Sequence, residues 1–177
     1  MAGIREPVVV RTPIPSDLPS PLERWYLEAL FRSDERDGNV GLRNPEGLPS
    51  FARARLDHLR RLVSASRRIS PDLCVRFSAI LEAVEVDEGT VEIDLGEGID
   101  WTDVLRGLCR RHPDRLPYVE IEIAHVPAPG RDVCGGSAVF IHPEGVEWFS
   151  TGDWLRRRVG TLGLPHLRQG RIHTLRR

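Results

Sequence analysis

The chain has 177 residues, 40% hydrophobic and 29% charged, with a net charge of −1, the composition and size of an ordinary globular domain. No apolar run approaches the ~18 residues of a membrane span, the first residues lack a secretory-signal pattern, and three cysteines without a CxxC pair fit reduced thiols better than a disulfide framework. All 25 basic residues are arginine, which excludes chemistry that needs a lysine: Schiff bases, the P-loop and protein kinases.

Residues 1–17 read as an extended proline-rich arm. Pro7, Pro13 and Pro15, with Pro19 just beyond, forbid a helix there, and Val8 to Val10 predict a short edge strand. Ser20-Pro21-Leu22-Glu23 is a helix start: Ser20 caps, Pro21 suits the first helical position, and Glu23 completes a capping box. Residues 33–49 are polar and rich in Gly, Asn and Pro, and read as a loop. A second helix is predicted over 51–68. Its apolar side is Ala52, Leu56, Leu59, Leu62 and Val63; Arg53, Arg60, Arg61, Arg67 and Arg68 share an arc of about 120° on the other side.

Residues 71–86 fit two periods. Leu73, Phe77, Leu81 and Val84 are spaced for a helix, whereas Val75, Phe77, Ala79 and Leu81 alternate as in a strand, and the later half is read as strand. A hairpin follows over 84–95. Asp100 and Asp103 open a helix that Pro113 and Pro117 end. Val119, Ile121 and Ile123 alternate with Glu120 and Glu122, the clearest strand in the chain. Pro143-Glu144-Gly145 turns a further hairpin, and Ser150 with Asp153 caps a last helix. The fold class is therefore α+β: a single domain over 18–160, its antiparallel sheet (hairpins near 84–95 and 118–149) packed with about four helices. Residues 161–177 form an Arg/His-rich tail.

Charge is unevenly distributed. Residues 1–70 hold 12 arginines against 9 acids, 71–125 hold 5 against 13, and 126–177 hold 8 against 4. Segment 82–103 has nine acids and no arginine, and after Asp153 there are seven arginines and no acid. Such blocks either neutralise one another within the fold or mark an interaction surface.

The sites that chemistry would need are sparse. No HxH, HExxH or CxxC spacing occurs, so neither metal nor cofactor is expected. Gly96-Glu97-Gly98 lacks a full dinucleotide fingerprint, and Glu97, Asp100 and Asp103 would repel a pyrophosphate. A cysteine nucleophile would be Cys134, followed by Gly135-Gly136, with His125 or His142 as its base. However, Cys134 leads into a strand rather than a helix N-terminus, where thiols are activated, and the two glycines read more simply as a bulge or a tight start of that strand.

The leading expectation is a non-catalytic interaction protein, cytoplasmic and without a membrane partner. It would bind a protein partner or itself through the acidic segment 82–103, the arginine helix (Arg53, Arg60, Arg61, Arg67, Arg68) and the arginines after Asp153 (Arg156, Arg157, Arg158). The alternative is a nucleic-acid-associated protein whose arginines contact phosphates, although Trp101, Trp148 and Trp154 are not interleaved with them as a stacking platform would require. A second alternative is a small enzyme built on Cys134.

Overall fold

The structure, a computed structural model, describes residues 6–126 and 135–161, without the side chains of 158–160. Helix α1 (Pro21–Leu30) begins where the sequence places it. Ser20 Oγ accepts from the Glu23 amide, and the Glu23 carboxylate accepts from the Ser20 amide at 2.8 Å. Ser20 Oγ also meets Ser70 Oγ at 2.8 Å, and Ser66 Oγ accepts from the Leu22 amide at 2.9 Å. These buried groups tie the start of α1 to the junction between α2 (Leu56–Ser66) and α3 (Pro71–Ala83).

The main sheet is antiparallel throughout. Its order is β10 (Gly145–Ser150), β9 (Gly135–His142), β8 (Val119–His125), β1 (Val8–Val10), β4 (Asn39–Asn44) and β2 (Ile14–Pro15); β3 (Arg32–Arg36) also pairs with β4. Val8 and Val10, Leu42, Val119 and Ile121, and Val139 and Ile141 point from this sheet into the core. Helix α1 and α4 (Trp101–Arg111) cover that face. Glu120 and Glu122 face outward, as the alternation requires. A smaller sheet, β5 (Phe51–Arg55), β7 (Thr90–Asp94) and β6 (Val86–Asp87), contributes Val91 and Ile93 to the same core. Helix α5 (Thr151–Thr161) follows β10. Among the described residues this gives five helices and mostly antiparallel strands, the expected α+β class, and no helix is long and apolar enough to cross a membrane.

Four segments depart from the sequence reading. Val8–Val10 is an interior strand between β8 and β4, not an edge; Pro7 and Pro13 lie just outside the paired residues, so no ladder donor is lost. The expected loop 33–49 contains the β3–β4 hairpin, turned at Asp37-Gly38 with φ of 50° and 74°. β3 is almost entirely charged, so it carries no apolar alternation to read. The helix expected over 51–68 starts only at Leu56, because Phe51-Ala52-Arg53-Ala54-Arg55 pairs with β7. Finally, residues 71–83 are helical to their end. Leu73, Cys74, Phe77 and Leu81 form the buried stripe, while Val75, which a strand would bury, is 71% exposed.

Candidate functional site

The shift of 51–55 into a strand divides the expected arginine face. Arg53 faces Glu92 across the small sheet, its Nε donating to Oε2 at 2.8 Å. Arg60, Arg61 and Arg67 remain with α2, and Arg68 follows it. Arg61 reaches Asp57 at 3.7 Å, one helical turn away. Arg60, Arg67 and Arg68 are exposed and make no ion pair among the described residues. A groove of about 240 Å³ between α2 and α3 is lined by Arg60, Arg67 and Glu82.

The acidic segment reaches the opposite end of the same helix. The Leu56 amide donates to the Gly89 carbonyl at 3.0 Å, which seats the β6–β7 turn on the N-terminus of α2. Asp87 and Glu88 in that turn are exposed and unpaired among the described residues. Asp57, in the first turn, is held below the usual carboxylate range, chiefly by its hydrogen bond from Arg55. Acids at the N-terminus and arginines at the C-terminus both complement the helix dipole, a local reason for this charge order. The acidic and arginine-bearing segments thus neutralise each other in part, at Arg53–Glu92 and at Arg76–Asp103 (3.4 Å), and leave a bipolar surface along α2.

His125 and His142 do not converge. His125 pairs with Gly135 at the start of β9, whereas His142 ends that strand seven residues on, about 23 Å away at the rise of a strand. They cannot serve one thiol or one metal ion together. The His142 Nδ1 lies 2.8 Å from the Glu144 carboxylate, a hydrogen bond that holds Glu144 below the usual carboxylate range. Cys134 lies outside the described residues, as do the side chain of Arg158 and residues 162–177. Gly135 and Gly136 stay in register with β8, without a bulge. A Cβ at Gly136 would come within 3.0 Å of the Ile123 carbonyl, so the strand start is tight there.

Register produces one grouping that the sequence reading missed. Glu6 Oε1, His125 and Ser137 Oγ form a chain, with Nδ1 at 3.0 Å from the carboxylate and Nε2 at 3.2 Å from the hydroxyl. The order acid, imidazole, hydroxyl is that of nucleophilic hydrolases. Here Ser137 lies within a strand, and the nearby Gly136 amide, a possible oxyanion donor, is taken by Thr151 Oγ1. The chain joins β8 to β9 and to the residues before β1.

Arg156 pairs with Asp153 at 2.6 Å, and Arg157 Nε donates to the Asp153 carbonyl at 3.4 Å, both on the exposed helix α5. A second arginine cluster surrounds a cleft of about 450 Å³ between the start of α3 and α4; Arg76, Arg106, Arg110 and Arg111 line it. No family model, curated protein or solved structure matches this chain.

Proposed function

We propose that this chain is a non-catalytic interaction protein whose partner is a second copy of itself, joined along α2. The observation that carries this reading is the bipolar edge: unpaired Asp87 and Glu88 at one end of α2, unpaired Arg67 and Arg68 at the other. The helix has 11 residues, so the two charge groups are about 16 Å apart. An antiparallel, two-fold pairing of α2 with its copy sets each arginine end against an acidic end, twice over. A two-fold interface is self-complementary in this way, and opposed charges select that orientation over the parallel one. A nucleic-acid backbone laid along α2 would meet the Asp87-Glu88 turn within the length of the helix, which favours the protein partner.

Sedimentation velocity at low salt and at 1 M salt tests the proposal. The expected result is a dimer at low salt that dissociates at high salt, where the Debye length is about 3 Å. The double substitution Arg67→Glu and Arg68→Glu is expected to give a monomer, and adding Asp87→Arg and Glu88→Arg to restore the dimer. A wild-type chain that stays monomeric at low salt would retire the reading.

A further inference from the structure

We infer that the cleft between α3 and α4 is a binding site for a small molecule bearing a carboxylate or phosphate group. Its volume, about 450 Å³, lies in the range of small-ligand sites. The cleft holds four arginines and four acids, and most of the acids are already engaged. Glu23, only 2% exposed, accepts two hydrogen bonds from Arg111 Nη2, at 2.7 and 2.8 Å. Asp100 caps α4 by accepting from the Thr102 amide and hydroxyl, and Asp103 holds Arg76. The fourth, Asp72, sits in the first turn of α3.

Apart from Asp72, which makes no ion pair or side-chain hydrogen bond among the described residues, the unengaged groups are donors. Arg110 is exposed and makes no ion pair among the described residues. Arg111 Nε is buried and has no hydrogen-bond partner, an arrangement that native proteins rarely leave unresolved. Ser70 turns its hydroxyl to Ser20 and makes no cap bond to α3; Pro71 carries no amide proton and the Cys74 amide donates to the Ser70 carbonyl, which leaves the amides of Asp72 and Leu73 without a cap. Charge-assisted hydrogen bonds from arginine forks, together with helix amides, are the chemistry that holds carboxylates and phosphates.

Gly107 supplies an independent observation. It lies in the interior of α4, where glycine is least favourable among ordinary helix residues, and it lines the cleft. A Cβ there would come within 3.2 Å of Arg111 Nη1. The missing side chain keeps the floor of the cleft open and gives the Arg111 fork its place.

The test is isothermal titration calorimetry of the full chain with inorganic phosphate and, separately, with succinate, each against sodium chloride at matched ionic strength. Saturable binding of either probe is expected, and which one binds separates a phosphoryl from a carboxylate ligand. Arg110→Ala removes an exposed, unpaired side chain. It is expected to keep the wild-type melting temperature and to weaken binding about tenfold, the loss of one charge-assisted hydrogen bond. Gly107→Leu fills the cleft and should abolish binding, whereas Arg60→Ala on α2 should leave it unchanged. Absence of binding with both probes, binding that survives Arg110→Ala undiminished, or equal loss in Arg60→Ala overturns the inference.

Discussion

The arginines on α2 and those on α4 are the same chemical group in two settings. Arg60, Arg67 and Arg68 are exposed along and just after α2, and Arg60 and Arg67 border an open groove without making an ion pair among the described residues. Arg76, Arg106, Arg110 and Arg111 line a larger cleft, where Arg111 is fixed by a buried carboxylate and Arg106 by the carbonyls of Pro143 and Glu144. How firmly each set is held decides what it can do. Exposed charges act at long range and are screened by salt, whereas donors held around a cleft act at contact and select geometry.

The largest expected effect falls at the cleft. Glu23→Ala removes the partner of Arg111 and half of the α1 capping box together. Breaking a buried pair by removing one partner typically costs 3–5 kcal/mol; because Arg111 is 28% exposed and water can relieve part of its charge, about 3 kcal/mol is expected here. Urea unfolding measures it as a lowered midpoint at constant slope. A loss below about 1 kcal/mol, the value of an exposed pair, would mean that the two clusters are energetically alike.

A smaller loss is expected at Ser66, where the two regions are joined. Its hydroxyl is fully buried at the end of α2 and accepts from the Leu22 amide in the first turn of α1. Ser66→Ala leaves that amide buried without a partner, at a cost of about 1–2 kcal/mol. Ser66→Gly, which lacks the hydroxyl too, should lose at least as much. A neutral Ser66→Ala would show that the α1–α2 contact rests on its apolar residues alone.

How much of this was legible depended on how local each cause is. The capping box at Ser20, the alternation at Val119, Ile121 and Ile123, and the acids that open α4 act within a few residues, and each element appears where those signals place it. The Asp37-Gly38 turn was also local, but its flanks, Arg32 to Arg36, have no alternation to support it. Arg53 lies on a strand and not on the expected helix: Ala and Arg are good helix formers, and the short Ala52-Arg53-Ala54-Arg55 alternation outweighs that preference only once it pairs with β7. The cleft was invisible for a different reason: its walls come from α1, from residues 69–76 and from α4, and nothing in one sequence brings Glu23 to Arg111. The one local hint was Gly107, a glycine inside an otherwise amphipathic helix.

The smallest expected effect is the one that defines the α2 arginines. Replacing Arg60, Arg67 and Arg68 together by Ala removes three exposed side chains that make no ion pair among the described residues. Surface changes of this kind usually fall within about 0.5 kcal/mol each, and Ala is the better helix former at Arg60. Against this, Arg67 and Arg68 at the C-terminus of α2 lose a favourable interaction with the helix dipole, of the order of 0.3–1 kcal/mol. The two contributions oppose each other, so the midpoint of unfolding should shift little, and any loss should shrink as salt is raised. The same triple variant should no longer associate. Stability retained while association is lost would separate the role of these arginines from that of Arg111. A loss as large as that of Glu23→Ala would mean that α2 depends on contacts its exposed arginines do not make in the single chain, and would place that dependence at the interface between copies.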